Sequence, residues 1–392
     1  MAPPPRQGNT AIRASHSDIG VPCFIKEPAP GAPGCRNMLP AFGHVEGDPL
    51  NPLLHPQLIN PPFGDPGVLV DVRFERRCLL LDLGDLSAVP PRMLLRTSHG
   101  FVSHTHMDHF AGFDQLLRVC LGREKSLHLF GPAGFIDRVA GKFAAYTWNL
   151  APGYAADFVV TATAVETDGT AQTAEFHSRR SFTREAERRI RIDHGLLVTE
   201  DALTVRTAVL DHGIPSLAFR IEEPAHVNVF RDRLEGLGLA VGPWLRDMKR
   251  AVFRAEPDDT RIEAPGREGG MVTLPLGRLK AEALSVTAGQ AIAYVVDAAF
   301  TAENAARIVD LARDADLLFI EAPFRAADVE QAAARRHLTT DQAGRLAAAA
   351  GVRKVVPFHF SPRYLGEEEV MRQEVDVAFR TREPLGFRLE AI

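Results

Sequence analysis

The sequence predicts an α/β fold, an αβ/βα sandwich whose strands deliver polar side chains to one edge. Three observations carry this prediction. The stretch Ser103-His104-Thr105-His106-Met107-Asp108-His109 sets three imidazoles and a carboxylate within six residues, directly after an apolar run and directly before an amphipathic segment. Apolar runs of strand length alternate with segments of helical period through much of the chain. Several of those runs end in His, Asp or Glu, which is how a layered α/β protein builds a site at one sheet edge.

Residues 1–57 hold many Pro and Gly and little periodicity, so they read as an irregular N-terminal extension, and residues 58–392 as the folded domain. Val68–Phe74 and Cys78–Asp85 read as two strands, the second ending in a turn. After the histidine-rich stretch, Phe110, Phe113, Leu116, Leu117 and Cys120 recur at helical spacing within Phe110–Leu121. Leu127–Gly134 is a strand running into a turn, 136–147 a helix and Phe158–Val165 a strand. The span 172–192 is polar and Arg-rich, with strand-like pieces. Leu203–Val209 alternates as a strand and delivers Asp211 and His212, and Leu217–Ile221 is the next strand. An arm-like excursion occupies about 222–282. The apolar run beginning at Ala291 then returns and ends in Asp297. A helix over Glu303–Ala312 leads to the strand Asp316–Glu321, and a helix over Thr340–Ala350 leads to Lys354–Phe358 and His359.

Composition narrows the function. Apolar residues make up 45% and charged residues 24% of the 392, the balance of a soluble globular protein. No window approaches eighteen uninterrupted apolar residues, so no membrane span is expected. The first twenty residues lack an apolar signal core, and the four cysteines follow no framework spacing. Cys78 and Cys120 lie in apolar segments and read as buried thiols. Together these features fit a reducing cytoplasm. A net charge of −5 argues against a protein that coats nucleic acid generally. Two local basic clusters stand out, Arg179 to Arg191 and Arg246 to Arg254; phosphate-backbone binding needs such clusters, though each also suits a solvated face.

Neutral imidazole nitrogen and carboxylate oxygen are the donors that borderline divalent ions such as zinc prefer. His104 and His106 alternate, so both can grip one ion, while Asp108 and His109 swing toward a second after the turn. His212, Asp297 and His359 each stand at or just past the end of an apolar strand. Taken singly each is ambiguous, but five His and two Asp form a full ligand set for two ions, with Asp297 able to bridge. Two ions about 3.5–4 Å apart lower the pKa of a shared water and clamp a phosphodiester. His337 sits just before the last of these helices and is a candidate general acid for an alkoxide leaving group, with Glu321 at a strand end able to orient it.

The chain resembles the ribonuclease Z group of the metallo-β-lactamase superfamily, the tRNA 3′-processing endonucleases. The matching pieces run from about residue 65 to 364: Leu81-Asp82-Leu83-Gly84, the H-x-H-x-D-H stretch, Leu129-Phe130-Gly131-Pro132, His212 with Pro215-Ser216, Arg220 to Pro224, Gly238 through Gly242-Pro243 to Lys249, Asp297, Glu321-Ala322, His337, and His359 with Ser361, Arg363 and Tyr364. The resemblance implies a four-layer αβ/βα sandwich holding two zinc ions. It assigns His104, His106 and His212 to one ion, Asp108, His109 and His359 to the other, and Asp297 to both. It also gives Asp108 a part in deprotonating the attacking water and gives His337, backed by Glu321, protonation of the leaving 3′-oxygen. Gly242, Pro243 and Lys249 would belong to an arm that holds the tRNA body, Arg363 and Tyr364 would approach the scissile phosphate, and the chain would work as a homodimer.

Departures from the group's pattern bear on substrate. A Gly-Thr-Gly turn on the first strand is missing, and Met107 stands where Gly is usual. Ala298-Ala299 and Leu338-Thr339 replace the usual followers of Asp297 and His337, and the span 145–200 is longer than the group needs. The metal set survives all of this. Three readings therefore stand: an endonuclease on precursor tRNA, a hydrolase of a small phosphodiester, cyclic nucleotide or other ester, and a non-catalytic relative that binds RNA or a partner. The intact ligand set argues against the third.

Overall fold

The structure, a computed structural model, describes residues 53–386 apart from 74 and 224. Most of the expected N-terminal extension, with Cys23 and Cys35, lies outside the described residues.

Strand alternation explains the layers. In β2 (Val68–Val72) and β3 (Arg77–Leu81), Val68, Val70, Leu79 and Leu81 enter one buried cluster, while Leu69, Cys78 and Leu80 enter another. Both faces of these strands are therefore covered. With β1 (Leu54–Leu58), β4 (Thr97–Phe101), β5 (Lys125–Pro132), β6 (Phe158–Val165), β7 (Thr170–His177) and β8 (Arg184–Arg191) they form an eight-stranded sheet in sequence order. Strands β3 to β6 are mutually parallel and the other neighbours antiparallel.

The second sheet contains β9 (Leu196–Thr199), β10 (Thr204–Asp211) and β11 (Pro215–Glu222). The chain then leaves for the excursion, where β12 (Ala225–Val229), β13 (Arg261–Pro265), β14 (Met271–Pro275) and β15 (Leu284–Ala288) form two short ladders, β12 with β15 and β13 with β14. It returns through β16 (Ala291–Val295), β17 (Leu317–Glu321) and β18 (Val355–Phe358), giving the order β18-β17-β16-β11-β10-β9. The last three strands run parallel.

Phe101, Phe219, Tyr294, Phe319 and Phe358 come from both sheets and share one buried cluster, so the sheets pack face to face. Each such side chain contributes roughly 1.5–3 kcal/mol by leaving water. Helices Phe113–Cys120 and Phe135–Ala144 cover the outer face of the first sheet. Helices Ala302–Ala312, Thr340–Ala349 and Glu368–Thr381 cover the second. This is the expected four-layer αβ/βα sandwich. Cys78 and Cys120 are both fully buried in it.

Three boundaries differ from expectation. The divide expected at 57/58 falls inside β1, because Leu54 to Leu58 pair with Val72 to Val68. The helix expected over Phe110–Leu121 is broken into Met107–Phe110 and Phe113–Cys120. Between them Gly112 presses on the preceding turn, and a Cβ there would lie 2.0 Å from the Gly84 carbonyl oxygen. The strand-like pieces expected over 172–192 are, as a pair, the hairpin of β7 with β8 that extends the first sheet. The excursion reaches Ala288 rather than 282, because β12 needs β15 as its partner. It carries its own apolar core, with Leu234, Leu239, Trp244, Met248, Leu276 and Leu279 buried together.

Candidate metal centre

The histidine-rich stretch connects β4 to the two short helices and is fixed from beneath by Asp82. That residue is fully buried at the end of β3, with a left-handed φ of 55° that Asp tolerates better than most. Its carboxylate accepts from the Ser103 amide at 2.6 Å, the Ser103 hydroxyl at 2.9 Å and the Tyr294 hydroxyl at 2.8 Å. It also lies 2.9 Å from His109 Nδ1, which leaves Nε2 facing the site. The loop thus sits on a carboxylate that reaches the other sheet through Tyr294.

The remaining groups arrive from strand ends. His212 follows β10 and its Nδ1 lies 2.9 Å from the Arg336 carbonyl oxygen. Asp297 follows β16 and His359 follows β18, at φ of 47° and 58°. These left-handed residues turn the chain just as each parallel strand ends. Asp297, 2% exposed, is the hub. Its Oδ2 lies 3.2 Å from His212 Nε2 and 3.5 Å from His104 Nε2. Its Oδ1 lies 3.0 Å from His359 Nδ1 and 3.6 Å from His109 Nε2. Asp108 Oδ2 stands 3.4 Å from His109 Nε2 and 3.5 Å from His359 Nε2.

Two compact donor groups result, His104–His106–His212–Asp297 and Asp108–His109–His359. A third, Asp297–Glu321–His337–His359, overlaps both, and all three are able to hold a divalent ion. The buried atoms His104 Nε2, His109 Nε2, Asp297 Oδ1 and His359 Nδ1 make no hydrogen bond. Orphaned polar atoms this deep are costly unless another partner satisfies them, so the donor set fits a cation.

The charges agree with that fit. Burial, followed by His109, pushes the His104 imidazole down to about 2. Burial opposes protonation of His109 as well, but Asp297 and Asp82 outweigh it and hold that ring at about 10. Burial pushes the Asp108 carboxyl up, yet the neighbouring His109 and His359 imidazoles prevail and hold it well below the usual range. Burial lowers the His359 pKa too, but Asp297 and Asp108 outweigh it and the net direction is upward; cation binding needs neutral imidazoles, so an ion would compete with protons at His109 and His359.

Beside this cluster His337 Nδ1 lies 2.8 Å from Glu321 Oε2, while Glu321 Oε1 accepts from the Ala298 and Leu338 amides at 2.9 and 3.2 Å. Burial lowers the His337 pKa, but the adjacent Glu321 carboxylate reverses the shift and the net direction is upward. A cleft of about 360 Å³ opens here, lined among others by Asp108, His337, His359 and Arg363.

No family model matches the chain. A ribonuclease Z of Deinococcus radiodurans is 33% identical over 289 residues, covering 73% of this chain and 83% of that one. The chain belongs to the ribonuclease Z family. Another ribonuclease Z, from Geobacillus kaustophilus, is 32% identical over 286 residues, covering 72% and 75%. Among solved structures, the metallo-β-lactamase fold protein YhfI of Bacillus subtilis aligns at TM-score 0.47 and 16% identity, over 83% of this chain and 94% of that one.

In this member of the ribonuclease Z family the predicted site residues divide. His104, His106, Asp108, His109, His212, Asp297, Glu321, His337 and His359 come together. Arg363 reaches the cleft, its guanidinium on Gln331 and 6.0 Å from the Phe324 ring. Tyr364 does not line the cleft: it is 5% exposed and donates to Asp328 at 2.5 Å. Gly242, Pro243 and Lys249 stay in the excursion and do not line the cleft either. Lys249 is half-buried beside Glu223, and burial lowers its pKa despite that carboxylate. The two basic clusters are largely neutralised. Arg180, Arg184, Arg188, Arg189 and Arg191 each pair with a carboxylate, as do Arg246, Arg250 and Arg254.

Sequence reasoning gave no role to Asp82 or to Asn304. The buried Asn304 amide donates to the Asp211 and Ala299 carbonyls at 2.8 Å each, tying the ends of β10 and β16 together. The one signal for Asp82 was its place in Leu81-Asp82-Leu83-Gly84. Asn304 gave none.

Proposed function

We propose that the chain is a metal-dependent endoribonuclease that cuts precursor tRNA on the 3′ side of the acceptor stem, using two divalent ions. The observation that carries this reading is Asp297, a buried carboxylate whose two oxygens face two different donor groups. His104, His106 and His212 would hold one ion and Asp108, His109 and His359 the other, with Asp297 shared. A histidine-rich set with carboxylates favours zinc. When bound, the ions supply Lewis-acid activation of water and neutralise charge on the phosphodiester.

The chain's own residues supply the proton traffic. Asp108 stands at the cleft, less buried than Asp297, where it accepts a proton from the water that attacks phosphorus. As the bond to the leaving 3′-oxygen breaks, that oxygen takes a proton from His337. Glu321 holds the His337 ring by one nitrogen and leaves the other for the cleft. Among the described residues no helix is long and apolar enough to cross a membrane. The reading adds a cytoplasmic location and a homodimer, in which the excursion of one copy serves the site of the other. Light scattering on the purified protein checks the dimer.

The deciding experiment is cleavage of a 3′-extended precursor tRNA by wild type beside Asp108→Ala, with bis(p-nitrophenyl) phosphate as a parallel substrate. Cutting next to the discriminator base, lost in the variant, is the expected result. Metal-dependent turnover of the ester with the tRNA left intact would sink the tRNA reading and favour a small-phosphodiester hydrolase.

A further inference from the structure

The cleft beside the metal centre has a wall that the hydrolytic machinery does not use. It is formed by Phe63-Gly64-Asp65, in the loop after β1, together with Phe324 and Arg335. The loop is held in place rather than loosely draped. Its Pro62 carbonyl accepts from the Phe360 amide at 2.7 Å, Gly64 N donates to Pro61 O at 2.8 Å, and the Asn60 side chain donates to the Asp65 and Asp85 carbonyls at 2.9 Å each. Phe63 is half-buried and stands edge-on to Phe360, with ring centroids 5.4 Å apart and planes at 69°. That contact uses the edge of the pair and leaves part of the Phe63 ring on the cleft.

The polar groups around it are placed differently from the metal donors. Asp65 makes no ion pair among the described residues, although it lines the same cleft as Asp108. Arg335, at the end of helix Val329–Arg335, is exposed and likewise makes no ion pair among the described residues. Arg335 is thus, with Arg363 on Gln331, one of two guanidinium groups that line the cleft without a carboxylate partner among the described residues. An aromatic surface, a hydrogen-bond acceptor and a cation around a concave space suit an unstacked nucleotide, its base on the ring and its phosphate toward the guanidinium. A volume of about 360 Å³ lies at the small end of the range for small-molecule sites.

We propose that this cleft is a nucleotide subsite next to the scissile phosphate, with Phe63 as the stacking platform, Asp65 accepting from a base amino group or ribose hydroxyl, and Arg335 on the neighbouring phosphate. The assignment rests on the ribonuclease reading of the metal cluster. It makes Phe63 and Asp65 specificity-determining residues, and it gives the loop after β1 a task.

A cycle between protein and substrate tests it. Precursor tRNAs carrying an abasic nucleotide at one position on either side of the cut are compared with intact ones, using wild type, Phe63→Ala and Phe63→Trp, each checked for folding by thermal melting. On intact RNA, Phe63→Ala is expected to lower kcat/KM by roughly 5- to 100-fold, the range for loss of one base stack, and Phe63→Trp to recover most of it. At one abasic position wild type should fall to the level of Phe63→Ala and the variant should lose nothing more. Additive losses at every position would overturn the subsite. So would failure of Phe63→Trp to recover activity while it melts like wild type. If wild type leaves precursor tRNA uncut, the tRNA reading fails separately. The subsite is then judged on p-nitrophenyl thymidine 5′-phosphate against bis(p-nitrophenyl) phosphate: a wild-type preference for the nucleotide ester that Phe63→Ala erases upholds it, and its absence overturns it.

Discussion

Asp82 touches no substrate in the proposed reaction, yet four hydrogen-bonding groups converge on it. Asp82→Ala would leave the buried Ser103 amide and Tyr294 hydroxyl unpaired, while the Ser103 hydroxyl would keep His104 Nδ1 and His109 Nδ1 at 3.1 and 3.2 Å. At about 1–3 kcal/mol for each of these two buried groups, a loss of at least ~2 kcal/mol is expected in denaturant unfolding. Because Asp82 also orients His109, metal affinity should fall ~10- to 100-fold. Affinity within twofold of wild type, measured by chelator competition, would remove Asp82 from the centre. His337 allows a sharper experiment. A 3′-alkoxide needs a proton to leave, whereas p-nitrophenolate does not. His337→Ala should therefore lower kcat on RNA by ~10²- to 10⁴-fold and cost far less on bis(p-nitrophenyl) phosphate, with metal content unchanged. Equal losses on both substrates would count against His337 as the acid.

At the scale of single elements, parallel strands ending beside one another carry the site, and the helices behind them hold those ends in register. Helix Thr340–Ala349 starts three residues after His337 and is secured by a capping box: the Thr339 hydroxyl accepts from the Gln342 amide and the Gln342 side chain accepts from Thr339. Thr339→Ala should cost ~1 kcal/mol of stability, seen as a lower midpoint in urea with unchanged slope. A change below ~0.3 kcal/mol would show that tertiary contacts, not the cap, start this helix. Strand identity was legible at this scale because β-period and helix-period runs alternate cleanly. The break at Gly112 was not, since its cause is Gly84, 28 positions earlier in the chain and in contact only after folding.

On the scale of the whole molecule, the excursion is separable from the sandwich. Its apolar residues cluster with one another, and the ladder of β12 and β15 brings Val229 opposite Leu284. Replacing residues 230–283 by a two-residue Asn-Gly turn should therefore leave a folded chain that still binds metal and hydrolyses bis(p-nitrophenyl) phosphate. Cleavage of precursor tRNA should be lost if the excursion holds the tRNA body. Full tRNA cleavage by the shortened chain would remove the excursion from substrate binding, and loss of the sandwich fold would show that the two cores are coupled. The basic clusters belong to this scale too. Sequence shows their charge but not the carboxylates of Asp137, Asp168, Glu175 and Asp201 that meet them across the fold.

What the chain determined locally, it also displayed locally. The histidine-rich stretch, the strand-end positions of His212, Asp297 and His359, and the buried thiols follow from periodicity and donor chemistry within a few residues of each position. Folding decided whatever depends on distant partners. Tyr364 carries a motif residue's name into the core because Asp328 takes its hydroxyl. Asp82 becomes a hub because Tyr294 reaches it from the opposite sheet, 212 positions away. The cleft wall from Phe63 to Asp65 sits beside the candidate metal centre because distant partners hold that loop, the Phe360 amide on the Pro62 carbonyl and the Asn60 side chain on the Asp85 carbonyl. Hydrophobic period is a property of neighbours in sequence, whereas hydrogen-bond satisfaction and charge pairing are properties of neighbours in space.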